Sequence, residues 1–128
     1  ASDGAKLGTF AVGNGPFGVA CDGLNIWVAN FFSQTMTKLA TDGSVLGTYA
    51  VGDGPAGVTY AGSYIWVANN GSNTVSKVQV SDGALVKNFS VGRGPYGVVY
   101  DGANLWVASS STGQVSKISP ASTAQAVP

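Results

Sequence analysis

The chain has 128 residues with six acids, six bases, no net charge, no histidine, 19 glycines and one cysteine. Only 9% of residues are charged and 45% are hydrophobic, which excludes a nucleic-acid binder needing a basic face and a disordered tail of low hydrophobicity and high net charge. No apolar run is long enough to span a bilayer, and the missing histidine removes serine–histidine and cysteine–histidine catalysis and histidine-ligated metal sites. The lone Cys21 forms no intrachain disulfide. A chain starting at Ala1 without methionine reads as a processed product or an excised piece, natural or engineered.

In chain order, the first unit opens on the turn Asp3-Gly4 and a strand at Lys6–Val12. The corner Gly13–Pro16 and a strand at Gly18–Cys21 follow. After the turn Asp22-Gly23 come a strand at Ile26–Asn30, a loop bearing Phe31-Phe32, and a strand at Thr35–Leu39. The second unit repeats this from Asp42-Gly43. Its strands are Tyr49–Val51 with the residues upstream, Gly57–Tyr60, Ile65–Asn69 and Thr74–Val78. The third runs from Asp82-Gly83 through Leu85–Val91, Gly97–Tyr100, Leu105–Ser109 and Gln114–Ile118. β-Branched and aromatic residues fill these runs, while Gly, Asp, Asn and Ser separate them, so the chain is all-β. Asp-Gly pairs suit tight hairpins, and Gly-x-Gly-Pro suits a stiff corner. Residues 120–128 read as a disordered tail.

The repeat is the dominant signal. Trp-Val-Ala begins at Trp27, Trp66 and Trp106, and Gly-Pro recurs at Gly15, Gly54 and Gly94, each series stepping by 39 and then 40. The extra residue falls between Lys77 and Asp82. Repeats 3–41 and 42–80 are identical at more than half of their positions; the third has drifted further.

Val-Gly-x-Gly-Pro-(Phe/Ala/Tyr)-Gly-Val, then Trp-Val-Ala-Asn, then Val-Ser-Lys-(Val/Ile) resembles a β-propeller blade. The matching residues are Val12–Val19 with Trp27–Asn30, Val51–Val58 with Trp66–Asn69 and Val75–Val78, and Val91–Val98 with Trp106–Ala108 and Val115–Ile118. They look like the blades of streptogramin B (virginiamycin B) lyase and of the NHL and YVTN repeats. The resemblance implies three four-stranded blades over 1–119, in repeats of about 3–41, 42–81 and 82–119. The strand after Gly-Pro would be innermost, and the strand after Asp-Gly would be outermost. Propellers carry ~4–8 blades, and six is the multiple of three in that window. Two chains are therefore expected to close a six-bladed ring as a homodimer, the strand 6–12 of each completing the third blade of the other. A nine-bladed homotrimer is the alternative assembly, and a monomeric β-trefoil the alternative fold.

In that blade geometry, the corner residues Asn14, Asp53 and Arg93 lie on one face around the channel. Asp53 and Arg93 pair across neighbouring blades or line a polar ligand site. Phe17 and Tyr96 follow the corners and approach the channel, so Asn14, Phe17, Asp53, Arg93 and Tyr96 form the candidate ligand-binding set. Phe31 and Phe32 are either a contact patch or a cover for a subunit seam. Trp27, Trp66 and Trp106 read as core stacking residues, Cys21 as a buried thiol, and Lys38, Lys77 and Lys117 as solvated outer positions. Five of the six aspartates precede glycine in turns, which leaves Asp53 alone and no carboxylate pair for acid–base work.

The expectation is thus a non-enzymatic, self-assembling half-propeller scaffold or binding module without metal or cofactor. Its partner is itself; nucleic acid and membrane are not expected, and any ligand is a small molecule or glycan. A carbohydrate- or protein-binding propeller in an extracellular or periplasmic setting is the second reading. The third is a lyase like streptogramin B lyase. That family's activity implies a magnesium-assisted histidine site and seven blades, and this chain lacks both the histidine and the count.

Overall fold

The computed structural model describes residues 4–120. It contains eleven strands: β1 (Pro16–Cys21), β2 (Ile26–Asn30), β3 (Thr35–Leu39), β4 (Val45–Ala50), β5 (Pro55–Ala61), β6 (Tyr64–Asn69), β7 (Thr74–Gln79), β8 (Leu85–Ser90), β9 (Pro95–Tyr100), β10 (Leu105–Ser109) and β11 (Gln114–Ile118). They form three antiparallel sheets, ordered β1-β2-β3-β4, β5-β6-β7-β8 and β9-β10-β11. Each sheet is a meander of sequential hairpins, as blades require; a trefoil's shared barrel is absent, so that alternative is set aside.

Several boundaries differ from the sequence expectation. The inner strands start earlier, at the corner proline itself. The outer strands end at Ala50 and Ser90, because Val51 and Val91 leave the ladder to bond the loop ahead of the third strand. Residues 6–12 form no strand within this chain. Apart from Pro120, the expected disordered tail lies outside the described residues. Among those residues, no helix is long and apolar enough to cross a membrane.

Two layers of core hold the sheets together. Trp27, Ala29 and Met36 of the first sheet pack on Ile65, Val67 and Val78 of the second. Trp66, Ala68 and Val75 of the second pack on Val98, Leu105 and Val107 of the third. Alternation along each strand sends one set of side chains back and the other forward, so both faces of the middle blade are buried. Within each of the first two blades an outer-strand aromatic covers the tryptophan: Tyr49 on Trp27 at 5.7 Å and Phe89 on Trp66 at 5.9 Å. The outward faces have no such cover. Trp106 is only half-buried, and Val115 is 62% exposed where its counterparts Met36 and Val75 are fully buried. Val19, on the opposite open face, is 64% exposed.

Three single-residue expectations are corrected. Cys21 is exposed, like its counterparts Tyr60 and Tyr100, because this end of the inner strand faces outward in every blade. Lys77 is buried, its ammonium 4.1 Å from the Tyr64 ring centre and 5.5 Å from that of Trp66. Trp106 is core in kind but lacks the covering ring.

Candidate functional site

The corners and the loops between second and third strands meet at one end of the blades. Phe31 N–H donates to Gly15 O at 2.8 Å, Asn70 N–H to Gly54 O at 2.8 Å, and Ser110 N–H to Gly94 O at 2.9 Å. Each bond sets the residue after the second strand beside its corner. Gly15, Gly54 and Gly94 hold φ of 65°, 62° and 68°, the left-handed region that glycine enters without strain. Cross-blade bonds tie the corners together: Gly94 N–H donates to Asn73 Oδ1 at 3.0 Å, and Asn70 Nδ2 to Pro95 O at 3.3 Å.

Only the first blade carries aromatics in this loop, and they join two from the inner strands. Phe17 lies 5.9 Å from Phe31 and 5.1 Å from Tyr96, and Phe31 meets Phe32 edge-on at 5.1 Å. Phe17 and Tyr96 come from the first and third blades. Between them the second blade supplies Ala56, whose small side chain leaves room for the rings to meet. Gly15, Pro16, Phe17, Phe31, Phe32 and Tyr96 line a pocket of about 260 Å³. Its chemistry is flat and apolar, with Tyr96 bringing one phenol hydroxyl.

The structure therefore unites residues that the sequence reading kept apart. Phe17, Tyr96, Phe31 and Phe32 form one cluster, and Phe31 also lies against the second corner, across the seam between the first two blades. Asn14, Asp53 and Arg93 do not line that pocket. The expected Asp53–Arg93 ion pair does not form; the Asp53 main chain is engaged instead by Ser72 Oγ and Gly71 N–H. Among the described residues, no cluster of three or more His, Cys, Asp or Glu side chains is poised to hold a metal ion.

At the far end of the blades, the Asp-Gly turns carry a function that sequence reasoning missed. Asp22 Oδ1 accepts from the N–H groups of Leu24 and Asn25, and Oδ2 accepts the Trp27 indole N–H at 2.8 Å. Asp101 repeats the pattern with Ala103, Asn104 and Trp106. Burial pushes the Asp22 carboxyl up, but these bonds and the Lys38 charge together hold it below the usual range. In Asp101 the bonds from Asn104, Trp106 and Ala103 lower the pKa from 3.8 to about 2. The signal was available: an aspartate five residues ahead of a Trp-Val-Ala. The second blade has Ala61 there, and Trp66 donates to the Ala61 carbonyl at 3.1 Å instead.

Three meandering antiparallel sheets, of four, four and three strands, stacked face to face around a mouth of Gly-Pro corners define a β-propeller-like fold. No protein-family model and no curated protein matches the chain. Among solved structures it resembles hydrazine synthase of Kuenenia stuttgartiensis, at 27% identity and a TM-score of 0.76 over 92% of this chain and 37% of that one. It also resembles a catalytically inactive virginiamycin B lyase from Staphylococcus aureus with quinupristin, at 18% identity and a TM-score of 0.72 over 83% of this chain and 38% of that one. A streptogramin B lyase matches at 24% identity and a TM-score of 0.59, over 83% of this chain and 41% of that one. The chain spans less than half the length of each of these structures.

Proposed function

We propose that the chain is a non-enzymatic half-propeller that assembles with a second copy of itself into a six-bladed ring and binds ligand at the aromatic mouth. The observation that carries this reading is the unfinished third blade. Among the described residues its sheet has three strands, while residues 6–12 are left without a sheet. An open apolar face and a bare strand edge are association sites, and a two-fold ring satisfies both copies equally. Within ~4–8 blades, six is the count that copies of this three-blade unit reach.

The mouth supports a ligand with a flat apolar or ring face, the face of a sugar included. Binding on a glycan array or to aromatic small molecules, lost in Phe32→Ala while the fold is retained, is the expected result. Equal binding by Phe32→Ala would remove the site from the mouth. The non-enzymatic part is tested with magnesium and a streptogramin B substrate: no turnover is expected, and turnover sensitive to a mouth residue would refute it.

A further inference from the structure

The two blade seams inside the chain share one construction. Tyr49 of β4 lies over Gly83, in the turn between β7 and β8 of the next blade, so closely that a Cβ there would collide with its ring. Phe10 lies over Gly43 in the same way, one repeat earlier. Phe10 thus lies against the first blade where the outer strand of a preceding blade would place it. The innermost strands tell the same story. A Cβ on Gly18 would collide with the Ala56 carbonyl oxygen, and one on Gly57 with that of Tyr96. Gly97 holds the same position in the third repeat, yet nothing lies within 4 Å of its Cβ position. The open faces continue an interface that the chain builds twice within itself.

We infer that a second copy of this chain closes the ring in the register the repeat dictates, with Gly97 as its inner contact. This rests on the self-assembly proposed above. In the complete blades Leu39 pairs with Val45, Lys38 with Gly47, Thr37 with Thr48, Met36 with Tyr49 and Thr35 with Ala50, and β7 pairs with β8 in the same pattern. One repeat earlier, this sets Lys6 opposite Ile118 of the second copy, Gly8 opposite Lys117, Thr9 opposite Ser116, Phe10 opposite Val115 and Ala11 opposite Gln114. Val51 N–H donates to Gln34 O at 3.2 Å and Val91 N–H to Asn73 O at 3.1 Å; Val12 N–H donates likewise to Gly113 O of the second copy. Phe10 then covers Trp106 as Tyr49 and Phe89 cover their tryptophans. Gly97 receives the Phe17 carbonyl oxygen. Socket and segment carry residues of one repeat, so a second copy fits there where a foreign strand would not.

The register is tested by oxidative cross-linking of the full chain in a Cys21→Ser background. Thr9→Cys with Ser116→Cys, a facing pair at disulfide distance, forms a covalent dimer on a non-reducing gel. Thr9→Cys with Gln114→Cys, out of register, does not. Gly97→Val keeps the strand spectrum but weakens the dimer by about tenfold or more, because the added methyls hold the inner strands apart. With the wild-type chain dimeric, equal cross-linking of both cysteine pairs, or a dimer that Gly97→Val leaves unweakened, overturns this seam while self-assembly stands. A wild-type chain that is monomeric at every concentration overturns self-assembly and the seam together.

Discussion

Asp22 and Asp101 show how much one side chain in a turn carries. Each carboxylate satisfies two turn N–H groups with one oxygen and a tryptophan indole with the other. Asp22 is buried with the Trp27 indole, so Asp22→Ala strands that N–H out of reach of water; a hydrogen bond to a charged group is worth about 1.5–3 kcal/mol, and a loss of that order is expected in denaturant unfolding. Asp101 is exposed, and its effect is read as pH dependence. A carboxylate whose pKa is lowered on folding adds stability that is complete above its unfolded value and is lost as pH falls through the folded one. The gap in melting temperature between wild type and Asp101→Ala should therefore be full above 3.8 and close as pH falls to about 2. A gap that stays constant through that window would contradict the assignment. The Asp-Gly pairs were legible as turns. The indole bond was not, because it depends on where the next strand sends its tryptophan. Cys21 misled for a related reason: hydrophobicity marks a residue as eligible for the core, while its place on the strand decides which way it points.

At the scale of the element, the blades owe their stacking to glycines as much as to tryptophans. Gly57 lies where β5 passes close to β9, and a methyl there meets the Tyr96 carbonyl oxygen. Gly57→Ala should destabilise the chain by about 1–3 kcal/mol, the usual cost of overpacking, measured by thermal unfolding. A neutral result would mean that the inner strands are not held in register by that contact. The strand pattern itself was legible, since β-branched runs between turn residues leave few alternatives. Residues 6–12 were expected as a strand and are none within this chain. A strand needs a ladder, and among the described residues no free edge pairs with this segment. Phe31 and Phe32 show the same limit. They were legible as an odd aromatic pair, but their meeting with Phe17 and Tyr96 required the corner hydrogen bonds and the small Ala56 between blades.

Over the whole molecule, three blades leave two faces of opposite kind, one presenting the half-buried Trp106 and exposed Val115 and the other presenting Val19. The steps of 39 and 40 made the count of three legible. They also made the offer of residues 6–12 to a partner's third blade legible; what they did not show is the bare inner contact at Gly97, which exists only once the sheets are stacked. Burial of both faces should make thermal stability depend on concentration, as expected of a coupled folding and assembly equilibrium. The most direct test is the mass of the wild-type chain in solution, by light scattering across a dilution series. The ring predicts a single species at twice the 12.8 kDa of the chain, giving way to monomer only on dilution. A species that stays at 12.8 kDa at every concentration would contradict it.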